Sequence, residues 1–144
     1  MQALYAGAAL EIGSIAIALA REEKKGISVA LVDSHGEELF FATTDNAIFL
    51  SRKIALRKAY TAALVCCSTV EFARKRKKDD MKVMEVDPRF IPFRGGLAIK
   101  GGGGAIIGGI GISGLTAEED EEIAKKAIDE FKEKKDLEKS ISYC

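Results

Sequence analysis

The sequence predicts a single α+β domain in which helices cover an antiparallel β-sheet. Two pairs of short apolar segments flank glycine-containing turns, and such pairs form β-hairpins, whose strands run antiparallel. Two further segments carry helix-capping signals, so the order is helix, hairpin, helix, short helix, hairpin, helix. A chain of 144 residues suits one domain. We expect this domain to span residues 1–137 and a loose tail to occupy residues 138–144.

The first element is predicted to be an amphipathic helix from about residue 3 to residue 24, ended by Gly26. This segment is apolar enough to suggest a signal peptide or a membrane span. No basic residue precedes the apolar stretch, which argues against a signal peptide. Glu11 at its centre would cost on the order of 3 kcal/mol inside a bilayer. We therefore expect a cytoplasmic chain without a membrane partner, whose first helix packs on a sheet or on another subunit.

The next elements are a hairpin and an alanine-rich helix. Residues 27–33 and 37–44 are rich in β-branched and aromatic side chains and flank a turn at residues 34–36. From about Ser51 the chain has helical spacing, with alanine at positions 55, 59, 62 and 63. Small side chains at this spacing predict a helix that packs closely against its neighbour.

A short helix and a proline-bounded segment follow. Ser68 and Glu71 form an S-x-x-E capping box, which predicts the start of this helix. Residues 81–87 are expected to be either a short strand or a loop. Pro88 and Pro92 then prevent any helix from continuing through this part of the chain.

The second hairpin is marked by glycine, because ten of the fourteen glycines lie between residues 95 and 114. Residues 96–100 and 105–113 are predicted to be its strands, joined by a turn of four glycines. Thr116 and Glu119 form a second capping box, which predicts the last helix, running to about residue 135.

Part of this hairpin, Gly109–Gly114, matches the dinucleotide fingerprint G-x-G-x-x-G. That fingerprint functions only inside a parallel βαβ unit, in which a second strand follows the helix. We expect no strand after the last helix, so the sequence argues against a dinucleotide site. Glycines inside a strand, as at Gly108, Gly109 and Gly111, instead indicate close approach of a ligand or of another backbone segment.

Composition excludes several other classes of protein. The 22 basic and 22 acidic side chains balance, which gives no support for a nucleic-acid partner. Three cysteines suggest a reducing compartment, with Cys66 and Cys67 as small buried hydrophobes. The single histidine and the absence of C-x-x-C spacing predict no metal site. No catalytic set of the Ser-His-Asp kind can be assembled, so a binding protein is favoured over an enzyme.

Four stretches of the chain together carry a family resemblance. They are VALVDSHGEELFFA, SRKIALRKAYTAA, FIPFRGGLAI and IIGGIGISGLTAEEDEEIA, within about residues 5–130. In combination they resemble the GlcG/HbpS family of small haem-binding proteins, whose module also forms the C-terminal part of PduO-type proteins. The resemblance implies a profilin-like antiparallel sheet flanked by helices, assembly into homodimers or larger oligomers such as octamers, and haem as a cofactor. The chain departs from the family at Ala98, where proline is usual.

The candidate ligand-binding residues gather around the second helix and the glycine-rich hairpin. Lys58 and Thr61 lie one helical turn apart on the same helix face. A lysine among apolar residues is costly without a partner. We expect Lys58 either to hold a propionate or carboxylate beside Gly95 and Gly96, or to form a salt bridge with Asp33.

Three other residues complete the set of candidates. Phe93 is expected either to form a wall of the same pocket or to pack in the core, and Gly109 is expected to keep the neighbouring strand open to a ligand. His35 is the single imidazole. It is expected either to serve as a turn residue or to be the axial ligand of a haem held by a neighbouring subunit.

Three functions are consistent with these observations. The first is an oligomeric, non-enzymatic or accessory protein that binds haem or another tetrapyrrole. The second is an accessory protein or enzyme that binds a small carboxylate or a cobalamin-related ligand, with Lys58 holding the anion. The third is a structural assembly module without a ligand, in which the first two long helices build the oligomer.

Overall fold

The computed structural model describes residues 1–79, 82–136 and 140–144 and confirms the predicted α+β fold. Its five-stranded antiparallel sheet has the strand order β2-β1-β4-β3-β5. The elements are α1 (Ala6–Glu22), β1 (Ser28–Asp33), β2 (Glu38–Thr43), α2 (Leu50–Val65), α3 (Thr69–Asp79), α4 (Val83–Val86), β3 (Gly96–Gly101), β4 (Ile106–Ser113), α5 (Ala117–Lys135) and β5 (Ile141–Tyr143).

Helices cover both faces of the sheet. Helices α1 and α5 pack together over one face, where the larger core forms from isoleucine, leucine and alanine side chains. Helix α2 covers the other face, where its alanines meet Ala30 and Val32 of β1. None of the helices in the described parts of the chain is both long and apolar enough to cross a membrane.

The strand glycines allow α2 to lie directly on β4. A Cβ atom placed at Gly109 would collide with the carbonyl oxygen of Ala59, and one at Gly111 with the carbonyl oxygen of Ala55. Both carbonyls belong to α2, whose alanines present no long side chain to hold the helix away. The close approach that the strand glycines indicate is therefore that of a helix backbone.

Two segments differ from the sequence-based expectations. Within residues 81–87, the structure forms the short helix α4 instead of a strand or loop, while residue 81 itself lies outside the described residues. The expected loose tail at residues 138–144 is wrong for its last part, because Ile141–Tyr143 forms β5 against the edge of β3. Residues 137–139 are not among those described.

Strand β5 also corrects the expectation that no strand follows the last helix. It runs antiparallel to β3, whereas a dinucleotide fold needs a parallel partner. The segment Gly109–Gly114 therefore lies outside the parallel βαβ unit that a dinucleotide site needs.

Neither of the adjacent cysteines is buried, contrary to expectation. Helix α2 ends at Val65, and Cys66 adopts a left-handed conformation at its C-cap, with φ of 60°. This turn leaves Cys66 exposed and Cys67 half-buried.

Candidate functional site

Lys58 is buried on α2 and pairs with a residue that the sequence did not suggest. Its Nζ atom donates a hydrogen bond to the carbonyl oxygen of Ile112 at 2.7 Å and lies 3.0 Å from Oδ2 of Asp120. Burial lowers the pKa of the lysine and raises the pKa of Asp120, and in both cases the opposite charge of the partner opposes the shift. The free chain therefore already supplies a counter-ion for the Lys58 ammonium group.

The expected salt bridge between Lys58 and Asp33 is wrong. The Asp33 side chain closes the β1–β2 turn, where its Oδ1 atom accepts hydrogen bonds from the backbone amides of His35 at 2.9 Å and Glu37 at 3.0 Å. This is the local turn-closing role that aspartate commonly plays.

The candidate residues around Lys58 are packed against protein atoms. Gly95 has φ of +126°, and a Cβ atom there would lie 2.6 Å from Nζ of Lys58. The backbone amide of Gly96 donates to Oγ1 of Thr69 at 2.9 Å, and Thr61 Oγ1 accepts from the amide of Ile91 at 2.9 Å. Helix α2 fills the space beside Gly109 in the same way. This packing favours structural roles for these residues.

The other two candidates are exposed. His35 lies at the tip of the β1–β2 turn, and Phe93 lies in the segment that leads into β3 with 49% of its surface exposed. The structure therefore does not bring the predicted site residues together around one open pocket.

An open groove lies instead between β2 and α2, and we call it the β2–α2 groove. Its outer lobe has a volume of about 570 Å³, within the size range of small-molecule sites, and its inner lobe is smaller, at about 220 Å³. Both lobes share Glu38, Leu56 and Arg57. The inner lobe adds Gly36, Glu37, Tyr60 and Arg89, and the outer lobe adds Phe41, Phe49, Arg52 and Lys53.

The inner lobe is organised around Tyr60. The Tyr60 hydroxyl and the Arg89 guanidinium both bond to Asp87, and the Arg89 guanidinium carbon lies 4.3 Å from the centre of the tyrosine ring. These contacts hold the pKa of the Asp87 carboxyl well below its usual range, mainly through Arg89. Burial, followed by the neighbouring carboxylate, raises the pKa of Tyr60. Gly36 has φ of +82°, and a Cβ atom there would lie 2.7 Å from the same ring.

The outer lobe is largely apolar and is bordered by three cations, Arg52, Lys53 and Arg57, and by the carboxylate of Glu38. Phe49 is 82% exposed, and the Arg52 guanidinium carbon lies 5.4 Å from its ring centre. Ile48 and Leu50, on either side of Phe49, are also largely exposed. Exposed apolar side chains that lie together in this way mark a binding surface.

Arg57 joins the two lobes. Its guanidinium donates to the backbone carbonyl groups of Pro88 and Arg89, which fixes the loop before β3 against α2. The groove thus presents an apolar surface with three guanidinium groups along its length, of which Arg89 already pairs with Asp87 and Arg57 already donates to the loop carbonyls. Such a surface suits a flat apolar ligand that carries carboxylates, because guanidinium groups pair with carboxylates in a bidentate geometry.

Sequence reasoning missed this groove, although one signal was present. Ile48, Phe49 and Leu50 are separated by a single serine from the basic residues Arg52 and Lys53 at the start of α2. Three consecutive large apolar residues next to a pair of basic ones at a loop-to-helix junction are not needed for the core.

Among the residues that the structure describes, no group of three or more histidine, cysteine or carboxylate side chains could hold a metal ion.

Comparisons with known proteins match this chain to one family. The family model described as haem degrading protein HbpS-like matches residues 4–129. The corrinoid adenosyltransferase PduO of Salmonella typhimurium is 30% identical over 116 residues, which cover 78% of this chain and 34% of PduO. The chain thus spans about a third of the length of this curated relative.

Solved structures give the same result. A structure titled as a PduOC:heme complex has a TM-score of 0.81 and 28% identity, covering 88% of this chain and 94% of the other. HbpS from Streptomyces reticuli, solved as a double mutant, also has a TM-score of 0.81 and 28% identity, with 90% and 87% coverage.

Proposed function

The chain belongs to the HbpS-like family, and on this premise we propose that it is a non-enzymatic or accessory protein that binds haem in the β2–α2 groove. The observation that carries the proposal is the combination of an apolar surface at Phe49 and Leu56 with guanidinium groups on the same groove. A related structure is titled as a haem complex, which supports the choice of ligand.

The residues of the groove fit the chemistry of haem. The macrocycle is flat and apolar and would lie on Phe49 and Leu56, while its two propionates are carboxylates that Arg52 and Arg57 would hold. Haem supplies an iron that takes axial ligands from protein side chains. His35 is not one of the lining residues, but it directly precedes Gly36 of the inner lobe, so this histidine would be the candidate to hold the iron.

We propose that a second copy of the chain covers the exposed part of the groove. Phe49 and Leu50 are 82% and 62% exposed, and a haem placed on this surface would leave its outer face in water. Self-association through residues 48–50 would bury both the apolar side chains and that face. Replacing Leu50, which lies beside the groove lining, by glutamate is expected to lower the molar mass measured by light scattering. A wild-type chain that remains monomeric at micromolar concentration would refute this part.

Hemin titration tests the proposed site, with a matched pair of exposed phenylalanines. The wild-type chain is expected to shift the Soret band and to saturate at one hemin per chain. Phe49→Ser should weaken binding by about tenfold or more, because the phenylalanine ring would no longer be buried against the macrocycle. Burial of one large apolar side chain contributes enough free energy for a change of this size. Phe93→Ser removes an exposed phenylalanine outside the groove and should leave the titration unchanged.

The outcomes separate the proposal from its alternatives. Equal weakening by both substitutions, or by Phe93→Ser alone, would place the ligand elsewhere. Saturable binding of cobalamin without binding of hemin would favour a corrinoid ligand. An intact oligomer that binds neither would favour the ligand-free assembly module. A small carboxylate held by Lys58 has less support, because that ammonium group already pairs with Asp120.

A further inference from the structure

The three cysteines, 66, 67 and 144, lie together although they are far apart in the sequence. The Sγ atom of Cys144 donates to the carbonyl oxygen of Cys66 at 3.6 Å. That oxygen belongs to the peptide unit shared by Cys66 and Cys67, so it lies within about 3 Å of both of their Cα atoms. The Cys144 thiol is therefore next to the backbone of both cysteines.

The backbone fixes this arrangement from both sides. Cys144 exchanges two hydrogen bonds with Ala98 of β3, at 2.8 and 3.0 Å, which extends the β3–β5 pairing. On the other side, the left-handed Cys66 ends α2 and sets the direction in which Cys67 leaves the helix. Two rigid elements thus hold the thiols near each other.

The geometry assigns Cys67, and not Cys66, as the partner of Cys144. The Cys66 thiol turns back to the helix and donates to the carbonyl groups of Ala63 and Leu64 at 3.7 and 3.9 Å. The Cys67 thiol is close enough to both Cys66 and Cys144 to interact with each electrostatically, so the direction of the Cys66 thiol decides the choice of partner. We propose that Cys67 and Cys144 form a reversible disulfide when the protein meets a hydroperoxide, and that this bond fastens β5 to the end of α2.

Within this pair, Cys144 is the thiol that reacts first. It lines a surface cleft of about 270 Å³, which gives a small peroxide access to its sulfur. Burial raises the pKa of the Cys67 thiol, which makes it the poorer initial nucleophile. With hydrogen peroxide, the Cys144 thiolate attacks one peroxide oxygen, forming a sulfenic acid and releasing hydroxide.

The second step closes the bond and completes the balance. The Cys67 sulfur attacks the sulfenic sulfur, the S–S bond forms, and the sulfenic oxygen leaves as water. Two thiols and one hydrogen peroxide thus give one disulfide and two waters. A thiol reductant returns the protein to its starting state by exchange. The reaction uses none of the residues that line the β2–α2 groove.

Thiol counting and peptide mapping of the full chain test the proposal. One equivalent of hydrogen peroxide should lower the free thiols from three to one per chain. The mass should fall by about two hydrogens, because disulfide formation removes two protons and two electrons. Peptides that contain Cys67 and Cys144 should be linked. The unfolding temperature should rise by roughly 10 °C, since the bond closes a long loop of the unfolded chain.

Serine substitutions decide the pairing. Cys66→Ser is the matched control and should keep the link, whereas Cys67→Ser and Cys144→Ser should each abolish it. Three free thiols remaining after peroxide would overturn the proposal. So would a link that survives in Cys67→Ser but not in Cys66→Ser, or disulfides that form only between separate chains. The linked wild-type peptide pair gives a readout that does not depend on how well any variant folds.

Discussion

Removing the carboxylate of Asp120 tests the buried ion pair most severely. In the Asp120→Ala variant, Lys58 keeps its hydrogen bond to the carbonyl oxygen of Ile112 but loses its only charged partner in the described structure. The side chains of Lys58 and Asp120 are 4% and 3% exposed, so water does not replace the lost interaction. Leaving one member of a buried pair unpaired costs about 3–5 kcal/mol. The carboxylate also accepts a hydrogen bond from the Leu115 amide at 3.1 Å, which places the expected loss in the upper part of that range.

The loss is measurable by urea denaturation because a domain of this size has a total stability of about 5–15 kcal/mol. Glu122→Ala is the matched control on the same helix, because Glu122 is 60% exposed and its pair with Lys126 is at the surface. This control should change the free energy of unfolding by less than about 1 kcal/mol.

A double variant separates the effect of losing the ion pair from the effect of the cavity that a truncated side chain leaves. Lys58→Met with Asp120→Leu replaces both charges by apolar groups, and such replacements are often neutral or stabilising. We expect the double variant to be more stable than Asp120→Ala. In the cycle formed by the wild type, Lys58→Met, Asp120→Leu and the double variant, the coupling energy should be at least about 1 kcal/mol. A loss below about 1 kcal/mol for Asp120→Ala would refute the reasoning, since it would mean that the pair is solvated in the folded protein.

Three further predictions follow from the packing and from the groove. Gly111→Ala should lower the free energy of unfolding by about 1–3 kcal/mol in urea denaturation, because its Cβ atom would collide with α2, whereas Gly103→Ala in open space should be close to neutral. The pKa of Asp87 is lowered in the folded protein, so the unfolded chain binds this proton more tightly. The contribution of Asp87 to the free energy of unfolding is therefore present above about pH 4 and is lost as the pH falls. In Asp87→Asn, the free energy of unfolding should fall less steeply as the pH is lowered. His35→Ala should change the absorption spectrum of bound hemin more than it changes the circular dichroism of the chain; an unchanged spectrum would exclude His35 as the axial ligand.

The sequence predicts the sheet and its helices well because the signals are local. Hairpin turns, capping boxes and alanine spacing each lie within a few residues, and the Thr116 capping box is present in the structure as predicted. Strand β5 escaped prediction because three residues carry too little pattern, and because its pairing with β3 depends on the tertiary fold.

The partner of Lys58 could not be identified for a related reason. The chain holds 22 acidic side chains, and nothing local distinguishes Asp120 from Asp33 as the partner. The two members of the pair are brought together at the end of β4, where Ile112 lies against α2 and the chain leads into α5. The β2–α2 groove was missed likewise, because its lining comes from three separate parts of the chain, residues 36–41, residues 49–60 and Arg89, which only the fold brings together.

The most direct test of the proposed function is a crystal structure of the full chain grown with hemin. The proposed binding mode predicts electron density for the macrocycle in the β2–α2 groove, resting on Phe49 and Leu56, with propionates at Arg52 or Arg57. Density beside Lys58 and Gly95, or on a surface away from this groove, would contradict it.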